Sequence, residues 1–135
     1  MRFAAWGGIS AVQSTLELML DEGHLKRGLP LPQLARLLSG APAERFGLGP
    51  TKGRIAPGCD ADLALVDLNA GYTLQATDLY QRHPVSPYVG RSFRCRVKMT
   101  LLRGRVVYSC GEGLLPRPAG RECSPVYPGT ANIHM

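Results

Sequence analysis

The 135-residue sequence contains no His-x-His pair, no Cys-x-x-Cys pair, and no apolar run near the roughly 20 residues of a membrane span. Its three histidines, His24, His83 and His134, stand 59 and 51 positions apart, which carries no local metal-ligand signature. The four cysteines, Cys59, Cys95, Cys110 and Cys123, are spaced by 36, 15 and 13 residues. That spacing offers neither a zinc module nor a tight disulfide framework, and they read as reduced, small apolar residues. Aromatic residues make up 7%, too few for the stacking ladders of single-strand nucleic-acid binders. No Walker loop, dinucleotide fingerprint or nucleophile elbow is present. The length is too short for a complete (β/α)8 barrel, which takes roughly 250 residues. The opening Met1-Arg2-Phe3-Ala4-Ala5-Trp6-Gly7-Gly8 has no apolar core of signal-peptide length, so the expectation is an unexported, cytoplasmic protein.

What the sequence does have is charge of one sign in one place. The net charge is +6, and Arg91, Arg94, Arg96, Lys98, Arg103 and Arg105 fall within fifteen residues that contain no acid. The rest balances at ten basic and ten acidic residues. Within the run, Arg94, Arg96 and Lys98 share one parity, and Cys95, Val97, Met99 and Leu101 share the other. This predicts a strand with one solvated face rather than a phosphate-binding strip, and no nucleic-acid partner.

Local signals divide the chain. Ser10 is placed to cap a helix over 11–22, whose apolar face is Val12, Leu16, Met19 and Leu20 and whose stop is Gly23. A second helix starts near Pro32, carries Leu34, Leu37 and Leu38 inward, and ends at Ser39-Gly40. A short third, Ala43 to Phe46, is closed by Gly47. Strands are expected over 61–68, largely buried, and at 72–74. A hairpin of 94–102 with 105–109 turns about Arg103-Gly104. From Gly111 onward glycine and proline dominate, so the tail drapes over a surface or is disordered. Helices first and strands second, with little apolar surface to bury against in the helical part, is the pattern of the end of something larger.

Four blocks carry a resemblance. Ala5-Trp6-Gly7-Gly8-Ile9-Ser10-Ala11-Val12-Gln13 resembles a segment of the allantoinases, which are cyclic amidohydrolases of the metal-dependent amidohydrolase superfamily. Lys52-Gly53-Arg54-Ile55-Ala56-Pro57-Gly58-Cys59-Asp60-Ala61-Asp62-Leu63 is similar to the superfamily signature where the chain leaves the barrel for a small β domain. Arg82-His83-Pro84-Val85-Ser86-Pro87-Tyr88-Val89-Gly90-Arg91 and Leu102-Arg103-Gly104 are also allantoinase-like. The resemblance implies an α+β fragment: the last helices of an incomplete (β/α)8 amidohydrolase barrel over 1–48, a small β-sandwich-like domain over 49–111, and a Pro/Gly-rich tail over 112–135.

The resemblance also implies ring-opening hydrolysis of allantoin to allantoate in an intact enzyme, with dinuclear zinc and a homotetrameric assembly. In family order every metal ligand and the catalytic aspartate precede this sequence, so no catalytic and no metal residue is assigned to it. The one retained active-site element is the loop Gly7-Gly8-Ile9, whose family counterpart lines the substrate pocket; glycines let backbone approach a ring amide closely. Asp60 and Asp62, beside Gly53 and Gly58, read as turn-forming carboxylates that bind backbone N–H groups rather than as a metal pair. His24, His83 and His134 read as structural. The expectation is a chain that is hydrolytically silent alone, binds no stoichiometric zinc, and exposes apolar faces that drive association. Two alternatives stand beside it: a hydantoinase or dihydropyrimidinase fragment, and a non-catalytic remnant or interaction module.

Overall fold

Helix formation begins at Val12 and is continuous to Lys26 in a computed structural model that describes residues 9–115 and 120–127. This first rod is a 3-10 turn, Val12–Ser14, then one α turn, α1 (Thr15–Leu18), then a π-helical segment, Met19–Lys26. Ser10 is not its cap. The cap position belongs to Ala11, and the Thr15 hydroxyl donates back to the Ala11 carbonyl at 2.9 Å. Gly23 does not end the helix either. Its missing side chain admits the Leu29 and Leu34 methyls, which stand 3.7 Å from where a Cβ would sit. The chain turns instead at Gly28, where φ is +71° and the Gly28 N–H donates to the His24 carbonyl at 2.9 Å.

A second rod carries α2 (Leu31–Ala35), a π-helical segment Arg36–Gly40, and α3 (Ala41–Arg45). Pro32 sits in its first turn, where a missing N–H is harmless. Leu34 is buried as expected, but Leu37 is half exposed, because little among the described residues covers that side. Gly47, at φ +68°, closes α3.

Six strands follow: β1 (Leu63–Asp67), β2 (Tyr72–Thr73), β3 (Ser92–Phe93), β4 (Arg96–Leu102), β5 (Arg105–Ser109) and β6 (Gly113–Leu114). One antiparallel sheet runs in the order β1-β4-β5-β6, and β2 with β3 forms a separate antiparallel ribbon. Arg103 at φ +48° and Gly104 at φ +78° make the two-residue β4–β5 turn, the left-handed pair that matches strand twist. Leu65 opposes Met99 while Val66 opposes Val97, so Lys98 is an extra residue that bulges out of β4. That bulge breaks the strict parity read from the basic run.

Strand β1 is less covered than its apolar run predicts. Ala64 and Leu65 are exposed, Leu65 to 46%, while Leu63 and Val66 are half-buried. A continuous apolar run calls for cover on both faces, and among the described residues β1 lies at a sheet edge with helix against one side. The core gathers Leu20, Leu34 and Cys95, with Leu16, Met19, Leu25, Leu29, Val66 and Leu68 packed around them. It therefore sits between the first rod, the start of the second, and the β1 end of the sheet.

Candidate functional site

The chain enters the first rod through Ile9 and Ser10, and these two residues form one wall of an open cleft of about 530 Å³. The opposite wall is His83, Val85, Ser86 and Pro87, more than seventy positions away in sequence. Gly7 and Gly8 lie outside the described residues, so of the loop expected to line a pocket only Ile9 is located, exposed at the mouth of this cleft. His134 is likewise outside the described residues.

Two glutamines hold the walls together. Gln81 accepts a hydrogen bond from the Ser10 hydroxyl at 2.8 Å, and its amide nitrogen donates to the carbonyls of His83 at 3.1 Å and Val85 at 2.8 Å. From the helix side, Gln13 donates to the Asp78 carbonyl at 2.7 Å and accepts the Tyr80 N–H at 2.9 Å. Neither glutamine stood out in the sequence, because an amide carries no spacing signal and each makes its cross-chain bond to a residue more than sixty positions away.

The buried face of the first rod carries polar groups beside Leu20. Ser14, Glu17 and Asp21 are all buried, at the i, i+3 and i+7 spacing of one helical stripe, whereas Val12 is 93% exposed. Glu17 accepts the Tyr72 hydroxyl and, at 2.8 Å, the Val97 N–H. Burial first, and the adjacent Glu17 carboxylate second, push the Tyr72 phenol far above its ordinary value, so it stays a donor. Asp21 accepts Arg94 Nε at 2.7 Å and an Arg91 guanidinium nitrogen at 3.3 Å, while a second Arg94 nitrogen reaches the Asp21 carbonyl at 2.7 Å. Burial works to raise the Asp21 carboxyl, but the hydrogen bonds from Arg94 and Arg91 outweigh it and hold the group below the usual carboxylate range.

The basic run keeps its more solvated face, with Arg94 and Lys98 exposed and Cys95 buried, but several of its arginines are also tied to acids and rings of the chain. Arg91 also reaches Glu22 at 2.5 Å, and Arg96 lies over the Tyr72 ring at 4.5 Å. Arg94, Lys98 and Arg105 are exposed, Arg94 while still bonded to Asp21. Arg91 and Arg94 tie the helical rod to the strand region through Asp21 and Glu22.

The glycine-rich connection before β1 is a charged turn. Lys52 pairs with Asp60 at 2.8 Å and with Asp62, and Asp62 accepts the Arg103 N–H at 2.7 Å. Arg121, from the tail, meets both oxygens of Asp60 at 3.1 Å. Hydrogen bonds from Lys52 come first among the causes that hold the Asp60 carboxyl below its ordinary range. Asp62 binds a backbone N–H as read, whereas the Asp60 carboxylate meets the Lys52 and Arg121 side chains; the Lys52 partner was missed, although it begins the same motif.

This donor set does not fit a dinuclear zinc centre. Asp60 and Asp62 are committed to cations of the chain, and His24 Nδ1 is bonded to the Leu29 carbonyl at 2.9 Å. Among the described residues no three His, Cys, Asp or Glu side chains gather closely enough to hold a metal ion.

The sequence pattern of the amidohydrolase family matches residues 6–108, which takes in both cleft walls and the charged turn. The chain belongs to the amidohydrolase family. It is 55% identical over 123 residues to the allantoinase of Rubrobacter xylanophilus, covering 91% of this chain and 27% of that protein. It is 52% identical to the allantoinase of Deinococcus radiodurans over the same share of each. Among solved structures it is similar to the L-hydantoinase (dihydropyrimidinase) from Arthrobacter aurescens, with a TM-score of 0.76 and 33% identity, covering 82% of this chain and 25% of that one. A D-hydantoinase structure matches with a TM-score of 0.73 at 33% identity. The chain thus spans about a quarter of the length of the amidohydrolases it matches. No helix among the described residues is long and apolar enough to cross a membrane.

Proposed function

We propose that this chain is the C-terminal portion of an allantoinase-type cyclic amidohydrolase, whose complete form opens the ring of allantoin to give allantoate. The observation that carries this is the meeting of two separated motif blocks, Ile9-Ser10 and His83 to Pro87, in one cleft. Support for allantoin over other rings comes from the 55% identity to an allantoinase, against 33% to the hydantoinases of similar fold. In this reading residues 1–48 close the end of the barrel, 49–111 form the small β domain, and 112–135 form the tail. The loop Gly7-Gly8-Ile9 presents backbone groups to the ring. The dinuclear zinc and the catalytic aspartate belong to the remaining part of the enzyme, so this chain by itself is hydrolytically silent. The complete enzyme is a cytoplasmic homotetramer.

The test replaces the matching 123 residues of the Rubrobacter xylanophilus allantoinase with this chain. The hybrid is expected to hydrolyse allantoin, and the 135-residue chain to bind no stoichiometric zinc and turn nothing over. A soluble, zinc-loaded hybrid inert toward allantoin overturns the reading. The hydantoinase-like structures favour a second reading, in which that same hybrid opens hydantoin or dihydropyrimidine rings in preference to allantoin.

A further inference from the structure

The orientation of one side-chain amide fixes what the cleft can recognise. The Gln81 amide nitrogen faces two carbonyl oxygens, those of His83 and Val85, at 3.1 and 2.8 Å. A carbonyl only accepts, so both contacts require the NH₂ end of the amide at that side, and the flipped orientation is excluded. The amide oxygen is therefore the atom 2.8 Å from the Ser10 hydroxyl, and an amide oxygen has no proton to give. Ser10 must donate to it. A hydroxyl has one proton, so toward the cleft, whose wall it forms, Ser10 offers lone pairs only.

We propose that Ser10 is a specificity-determining residue of the cleft: held as a pure acceptor by Gln81, it selects a cyclic amide that presents a ring N–H. Gln13 is the second brace, tying the same turn of helix to Asp78 and Tyr80 and so fixing how far Ser10 stands from His83 to Pro87. The cleft volume suits a small heterocycle, and its remaining lining is largely apolar. A ring carbonyl brought against Ser10 would set acceptor against acceptor, so a ring without the N–H gains no hydrogen bond there. The inference rests on the reading of this cleft as part of the ring-binding pocket.

Two measurements separate its failure from the failure of that reading. In the 135-residue chain, NMR should show the Gln81 side-chain amide protons exchanging about 10-fold more slowly than those of a free side chain, the effect of about one hydrogen bond each. Unprotected Gln81 protons overturn the orientation, whatever the enzyme does. In the Rubrobacter hybrid, kcat/KM should fall at least about 10-fold when the ring nitrogen that meets Ser10 is methylated, tested with the singly N-methylated allantoins. Ser10→Ala should bring that ratio to within about 2-fold by losing activity on the parent ring, mostly in KM. Gln81→Met, which frees the hydroxyl to donate, should relax the preference too, and Gln81→Glu, which keeps an acceptor for Ser10, should restore part of it. A hybrid active on allantoin whose discrimination among the methylated rings is untouched by Ser10→Ala overturns the inference and leaves the function standing.

Discussion

The Tyr72 hydroxyl donates to the Glu17 carboxylate across 55 residues of sequence, joining the helical rod to the β2–β3 ribbon inside the protein. The same carboxylate takes the Val97 N–H at 2.8 Å, so one buried acid satisfies two donors from different strands. Glu17→Ala takes this partner from both half-buried donors, and the expected loss is about 1–3 kcal/mol of unfolding free energy. Tyr72→Phe removes one donor and keeps the ring that stacks on Phe93 at 5.7 Å, so about 1–2 kcal/mol is expected. Urea unfolding of the two variants and their combination should show losses that do not add.

Acid weakens this joint in a defined window. Asp21 is held below the usual carboxylate range in the folded chain, so its contribution is complete above its unfolded value of about 3.9. As the pH falls through the lower folded value, the proton taken up breaks the bonds from Arg94 and Arg91, and the contribution disappears. Stability measured by denaturant midpoint should therefore fall steeply below about pH 4, and Asp21→Asn should lower the plateau and flatten that limb.

Two glycines with nearly the same backbone should respond differently to a methyl group. Gly53 and Gly58 have φ of +87° and +88°. A Cβ at Gly53 would lie 2.5 Å from the Ala43 Cβ and 2.9 Å from the Ser39 carbonyl oxygen, while nothing approaches Gly58 within 4 Å. Gly58→Ala should cost about 1 kcal/mol, the left-handed penalty alone. Gly53→Ala adds a backbone clash where the charged turn meets the second rod, and the expected loss is at least about 3 kcal/mol. Thermal midpoints of the two variants check the difference.

Much of this architecture was legible locally. The β4–β5 turn at Arg103-Gly104 and the stop at Gly47 follow from residues within a few positions of each other. What escaped is long-range. Glu17 and Asp21 look like solvated helix residues until Val97, Arg91 and Arg94 arrive from seventy or more positions away. Gly23 looks like a stop until Leu29 and Leu34 fill the space above it. The cleft follows the same rule: its motif blocks were readable one by one, but the amides of Gln13 and Gln81 that bind them act on backbone groups sequence does not mark.

Cysteine reactivity should report the core. Cys95 is fully buried beside Leu20 and Leu34, and burial first, then the Glu17 and Asp21 carboxylates, push its thiol up to about 11. The thiolate is the reacting form, so Cys95 is doubly protected. Iodoacetamide at neutral pH should label exposed Cys123 first, with Cys59 and Cys110 at intermediate rates. Cys95 should react only at the rate of unfolding, as read by mass spectrometry of digests. Early labelling of Cys95 would mean that the first rod does not pack on the sheet.

Association should be the chain's behaviour in isolation. A groove of about 580 Å³ opens between the first rod and the sheet, lined by Leu16, Tyr72, Tyr80, Val97, Tyr108 and Leu114. Beside it Val12 is almost bare, and Leu65 is exposed on β1, an edge strand with no lysine or proline to guard it. Apolar surface of this kind, next to unpaired strand amides, lowers its free energy by meeting more of the same. Sedimentation velocity should show weight-average mass rising with concentration, and Leu65→Lys together with Val12→Glu should return the chain toward monomer without loss of helical signal, since neither side chain is in the core. A single sharp monomer peak for the unaltered chain across a hundredfold concentration range would contradict it.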